Sequence, residues 1–155
     1  MTGTSLDISA SGWNALNVKV IDGLNNFPAL ETLNLSNLNA ETLNLDKCAK
    51  LQTLNINELP RLKSAVLGNC PVTVFMTYIG GRYGYDYFEA ASLTISSENL
   101  TEINVNSESY YISYYENCSE IDVADCPKLA ILKAKREATD WYGNVICNLE
   151  KLYVS

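Results

Sequence analysis

From Leu30 onward, aliphatic residues return on a fixed schedule, and that schedule limits what the chain can fold into more than any other feature. Leu30, Leu33, Leu35 and Leu38 are followed by Ala40, Leu43, Leu45 and Cys48. The series continues with Leu51, Leu54, Ile56 and Leu59, then Leu62, Ala65, Leu67 and Cys70. The unit is L-x-x-L-x-L-x-x-[LC]-x-x, repeating every 10 or 11 residues. Inside each unit the L-x-L step has period 2, so both apolar side chains fall on one face of a short strand. A helix would need apolar residues sustained at i, i+3, i+4 and i+7, and none is sustained here.

The same triplet stands outside this block, at Leu6–Ile8 and Val18–Val20 before it. After it come Val74–Met76, Leu93–Ile95, Ile103–Val105, Ile112–Tyr114, Ile121–Val123, Leu132–Ala134 and Leu152–Val154. Strands this short and this regularly spaced cannot all pair as hairpins. They can pair if the chain winds, each strand stacking on its equivalent from the previous turn. Two units per coil give coils of about 21–22 residues, one strand on each side of a shared apolar interior. Leu33, Leu54 and Val74 are then expected in one column, Leu43 and Ala65 in the other. A charge at Leu43 or Leu54 should unfold neighbouring coils, because an unpaired buried charge costs several kcal/mol.

These residues resemble the leucine-rich repeat family. Leu43-Asn44-Leu45-Asp46-Lys47-Cys48-Ala49-Lys50-Leu51 follows L-x-x-L-x-L-x-x-[NC]-x-x-L, with Ala40 in place of the first leucine. Leu30 to Leu38, Leu51 to Leu62 and Cys118 to Leu129 follow it more loosely. The resemblance is closest to the irregular short repeats of bacterial surface proteins, internalin-like and Bacteroidetes forms. It departs from them in two ways. The family's ladder asparagine is replaced by Leu38, Cys48, Leu59 and Cys70, and no helical segment separates consecutive strands. The resulting expectation is one leucine-rich-repeat β-solenoid domain over residues 1–155, with right-handed coils, short parallel strands and little helix.

Loop insertions are expected near 22–29, 77–92 and 135–148. The first carries Gly23, Asn25, Asn26 and Pro28, all turn residues. In the second, Gly80-Gly81 between β-prone residues is a hairpin signal. Tyr83, Tyr85 and Tyr87 then alternate with Gly84 and Asp86, which sets three phenol rings on one face. These rings either cover exposed leucines of the solenoid or form a platform for a partner, since Tyr and Trp are rigid amphipathic contact residues. Trp141 and Tyr142 in the third insertion extend the candidate ligand-binding set. Asn34, Asn44, Asn55 and Asn104, with Asp7 and Asp122, occupy outward positions, where stacked amides can bond to one another.

Composition narrows the chemistry. With no histidine, every Ser-His-Asp or Cys-His mechanism is excluded, along with any imidazole metal site. Five cysteines without a C-x-x-C pair form no disulfide framework or zinc ribbon. Cys48 and Cys70 hold the same place in the repeat and read as small apolar core residues. No metal or cofactor is expected. A net charge of −7 argues against nucleic acid as partner, and no apolar run reaches the length of a membrane span. Glu120, Asp122 and Asp125 lie near Lys133, Lys135 and Arg136, but the two-sided coil puts Asp122 and Lys133 on opposite faces.

The functional expectation is a non-enzymatic binding or adhesion module of a bacterial surface or secreted protein, contacting protein or glycan partners. The alternatives are a carbohydrate-active enzyme on the same coil, or a purely structural repeat segment. The triplet Leu152–Val154 would leave an open strand, inviting edge-to-edge self-association.

Overall fold

Alternating Thr, Ser or Asn with Leu or Ile produces strands with one wet and one dry face. In β2 (Thr32–Ser36) the two leucines are buried, and the residues flanking them are half-exposed. In the computed structural model, which describes residues 4–9, 18–57, 59, 61–78, 92–109, 120–139, 145–147 and 151–154, such strands dominate. They are β1 (Ser5–Ser9), β2, β3 (Thr42–Asn44), β4 (Thr53–Asn57), β5 (Ser64–Gly68) and β6 (Val74–Tyr78). These are followed by β7 (Ser92–Ser97), β8 (Glu102–Ser109), β9 (Glu120–Val123), β10 (Ile131–Thr139), β11 (Val145–Cys147) and β12 (Lys151–Val154). Among the described residues the only helical segment is one 3-10 turn, Leu24–Asn26, and no helix is long and apolar enough to cross a membrane.

From β2 to β10 successive strands alternate between two layers, and strands of neighbouring coils pair in parallel within each layer, except between β4 and β6. The first layer holds the sheets β1-β2-β4 and β6-β8-β10-β11, the second the sheet β3-β5-β7-β9-β12. This is a parallel β-solenoid. Leu33 aligns with Leu54 and Leu43 with Ala65, as the repeat spacing requires. Stacked amides and ion pairs lie 21 or 22 residues apart in the central coils, and 31 apart between Glu120 and Lys151. The buried residues of both layers form one apolar cluster. Burial of that column at about 25 cal/mol per Å² of apolar surface is the main stabilising contribution.

Three details correct the reading of the sequence. Val18–Val20 is not a strand: Val18 packs half-buried against the core, Val20 is 68% exposed, and among the described residues the segment's one backbone bond to the solenoid runs from the Glu41 N–H to the Lys19 carbonyl. In β6 the inward residues are Phe75 and Thr77, whereas Val74 and Met76 are 42% and 41% exposed. Val74 therefore does not join the Leu33–Leu54 column; Phe75 does the inward packing and aligns with Ile103. A register one residue off exchanges every side chain between faces. Finally, β11 runs antiparallel to β10, the one such pair among the described strands. Ile112–Tyr114 lies outside the described residues.

The segment after Asp22 is tied in rather than loose. Gly23 takes φ 81°, the following 3-10 turn buries Leu24, and Asn25 reaches the next coil. Its amide donates to Asp46 Oδ1 at 3.0 Å and accepts the Lys47 N–H at 3.2 Å. Gly68, at φ 51°, sits at a register shift between β5 and β7. There a Cβ would meet the Asp46 Cβ at 3.0 Å, so this position requires glycine.

Candidate functional site

Each return from the second layer to the first passes through a tight corner. Cys48 and Leu51 are both buried there, with Ala49 and Lys50 between them, and the Leu51 N–H donates to the Cys48 carbonyl at 3.0 Å. Cys126 and Leu129 enclose Pro127 and Lys128 and make the same 3.0 Å bond. Phe27 and Leu30 repeat it with Pro28 and Ala29 between them. The corner at Cys70 is one residue shorter: only Pro71 separates Cys70 from Val72. The Val72 N–H then falls on the Cys70 sulfur instead of its carbonyl. That carbonyl is bonded by a neighbour, the Asn99 side-chain amide, which donates to Cys70 O at 3.1 Å and to Asn69 O at 3.3 Å.

The short corner coincides with the break in the first layer. At every other junction of that layer a forked pair of bonds starts the ladder. Glu31 and Thr32 donate to Thr4 O, Gln52 and Thr53 to Glu31 O, Thr101 and Glu102 to Thr73 O, and Ala130 and Ile131 to Thr101 O. The equivalent pair, from Thr73 and Val74 to the Gln52 carbonyl, is not made. Strands β4 and β6 remain adjacent but share no ladder. With one residue fewer to turn the corner, β6 cannot reach the position from which its N–H groups would meet Gln52.

An open groove of about 540 Å³ follows this seam. Gln52, Asn55 and Asn57 of the β4 side face Thr73, Val74 and Met76 of the β6 side, with Leu54 at the floor. Leu54 is only half-buried, whereas its column partner Leu33 is fully buried. No ionisable side chain lines the groove. On its β4 flank the outward amides are aligned: Asn55 Nδ2 donates to Asn34 Oδ1 at 2.8 Å, and Asn57 Nδ2 to Ser36 Oγ at 3.5 Å. Beyond the β6 flank, Asn104 Oδ1 and Thr77 Oγ1 are buried without a hydrogen-bond partner among the described residues.

The other outward polar residues have local tasks. Asn44 Oδ1 accepts the Asp46 N–H, Asp122 Oδ1 accepts the Ala124 N–H, and Ser9 Oγ donates to Asp7. Glu120 and Asp122 belong to β9 in the second layer, and Lys133 to β10 in the first, where it pairs with Glu102 at 2.9 Å. The structure therefore separates Asp122 from Lys133. Tyr83, Tyr85, Tyr87, Trp141 and Tyr142 lie outside the described residues. The groove was missed in the sequence, although one signal for it was there: the Cys70-Pro71-Val72 spacing, a residue short of its two cysteine counterparts.

Cys48, Cys70 and Cys126 are free and buried at these corners, each sulfur within 3.4–3.7 Å of a carbonyl of another coil. Burial raises all three thiols. Cys48 is pushed up to about 11, with Cys70 and Asp46 adding to the effect. For Cys70 and Cys126 the rise is opposed by the N–H groups of Val72 and Ser97. Below the ordinary value of 9.0 the Cys48 thiol is neutral in both folded and unfolded chains. Between 9 and 11 only the unfolded chain releases the proton, so stability falls as pH rises through that window and levels off above it. One such group contributes a slope of about 1.4 kcal/mol per pH unit. Urea midpoints measured from pH 8 to 11 should drop less steeply in Cys48→Ala than in the parent chain.

No protein-family model matches the chain, and no similar curated protein or solved structure was found.

Proposed function

We propose that this chain is a non-enzymatic binding module, a leucine-rich-repeat type solenoid of a bacterial surface or secreted protein, with protein or glycan partners. The observation that carries the reading is the seam. Among the described coils the first-layer ladder breaks between β4 and β6, and it opens there into a groove with aligned amides on one side and exposed aliphatic side chains on the other. Concave sites lined mainly by apolar surface with a few placed polar groups are where small ligands and partner segments bind. The tyrosine stripe Tyr83, Tyr85 and Tyr87, with Trp141 and Tyr142, is proposed as a second contact surface on the basis of composition alone.

A binding screen against glycans and proteins tests this, run on the parent chain, on Val74→Ser/Met76→Ser, and on Tyr83→Ala/Tyr85→Ala/Tyr87→Ala. Partners held by the seam should lose at least tenfold affinity in the first variant. Partners held by the rings should do so in the second. Absence of any partner in the screen, or turnover of a polysaccharide that disappears in Asp122→Ala, would overturn the proposal.

A further inference from the structure

We infer that the seam between β4 and β6 is a site for a neutral oligosaccharide; this rests on the binding-module reading and names its ligand class. The chain carries a net charge of −7, yet no ionisable side chain lines the groove, so a charged ligand would leave water for a site with no countercharge. The polar groups present are of mixed sense. Side-chain amides of Gln52, Asn55 and Asn57 each offer both donors and acceptors. The backbone groups with no partner among the described residues, the Gln52 carbonyl and the N–H groups of Thr73 and Val74, lie within the layer between the two strands and are not part of this set. A sugar hydroxyl is likewise donor and acceptor at once, and a pyranose ring also presents an apolar C–H face. Val74 and Met76, at 42% and 41% exposure, supply the aliphatic surface for that face directly beside the amides.

An extended peptide matches less well. To use the free backbone groups as a strand does, it would have to enter the plane of the layer between β4 and β6, and these strands are still adjacent. A ligand lying over the seam meets side chains instead, and the ordered Asn34–Asn55 and Ser36–Asn57 pairs hold those amides in fixed positions without occupying all their hydrogen-bonding capacity. Pre-set amides lower the ordering cost of binding.

The test is titration of the full chain, uniformly 15N-labelled, with hexasaccharides of β-glucan, xylan, mannan and chitin, alongside an acidic oligogalacturonide and a random hexapeptide mixture. At least one neutral hexasaccharide should shift the amide resonances of Gln52–Asn57 and Thr73–Met76, and the acidic one should not. Asn55→Ala and Met76→Ala, both at exposed positions, should each weaken that binding at least tenfold with an unchanged circular dichroism spectrum. Insertion of one serine between Pro71 and Val72, which lengthens the corner and closes the groove, should abolish it. Failure of every neutral sugar overturns the inference. A peptide that shifts the same resonances would overturn the sugar class and leave the binding-module reading standing. Sugar binding that is indifferent to Asn55, Met76 and the insertion would remove the seam and again leave that reading in place.

Discussion

Leu43→Asp is expected to abolish cooperative unfolding of the whole chain, while Leu54→Asp, one repeat unit further on and in the opposite layer, retains it with a lower midpoint. Leu43 is 1% exposed, in the middle of β3, and is aligned with the fully buried Ala65 of β5. A carboxylate there has no basic side chain to pair with inside the apolar cluster. It must either remain charged at a cost of several kcal/mol or take up a proton, which also costs stability at neutral pH. A domain of this size has only about 5–15 kcal/mol in total. Because each coil is held by its neighbours, the loss spreads to β5 and to the first-layer strands that share the same leucines. Leu54 holds the equivalent inward position of β4, but it opens onto the groove and is half-buried, so an aspartate there can keep water. Urea titration followed by circular dichroism distinguishes the two: a sloping baseline for Leu43→Asp, a sigmoid for Leu54→Asp. From the spacing alone both substitutions were expected to be equally damaging. The difference between them comes from the seam.

How far the sequence could be read depended on where phase information sits. In Thr32-Leu33-Asn34-Leu35-Ser36 polar and apolar residues alternate, so the buried face is fixed without knowledge of the rest of the chain, and β2 and β4 follow the expected register. In Val74-Phe75-Met76 three apolar residues follow one another, and the triplet carries no phase of its own. There the corner decides, and a corner with one residue between Cys70 and Val72 puts Phe75 inside. Val18-Lys19-Val20 has the right alternation but no ladder among the described residues beyond one bond at Lys19, so propensity without stacking forms no strand, leaving Val18 half-buried and Val20 exposed. Val145-Ile146-Cys147 belongs to no repeat. Its pairing is antiparallel to β10, where the return of the chain and not the period sets the partner. The amide ladder Asn34–Asn55 was legible because both residues hold one place in the unit. The groove beside it was not, since it arises from a residue that is missing and not from one that is present.

Insertion of a single serine between Pro71 and Val72 is expected to stabilise the protein, an unusual outcome for an insertion next to a buried core. The lengthened corner would match Cys126-Pro127-Lys128-Leu129, whose Leu129 N–H reaches the Cys126 carbonyl at 3.0 Å. Val72 would then bond to the Cys70 carbonyl, and Thr73 and Val74 would reach Gln52, completing the forked pair that every other junction of the first layer has. Three backbone bonds contribute about 1 kcal/mol each, and fuller burial of Leu54 adds about 1 kcal/mol. Ordering one more residue costs about 1–2 kcal/mol. The balance is a gain of about 2 kcal/mol, or roughly 4–8 °C in Tm for a chain of this length. Calorimetry reads the shift, and the amide protons of Thr73 and Val74 should become protected from exchange. A lower Tm, with those amides still exchanging freely, would mean that the short corner does not hold the seam open and that some other feature of β6 keeps it from β4. A higher Tm with loss of ligand binding would show that one residue fewer at Pro71 costs the scaffold stability and gives it a groove.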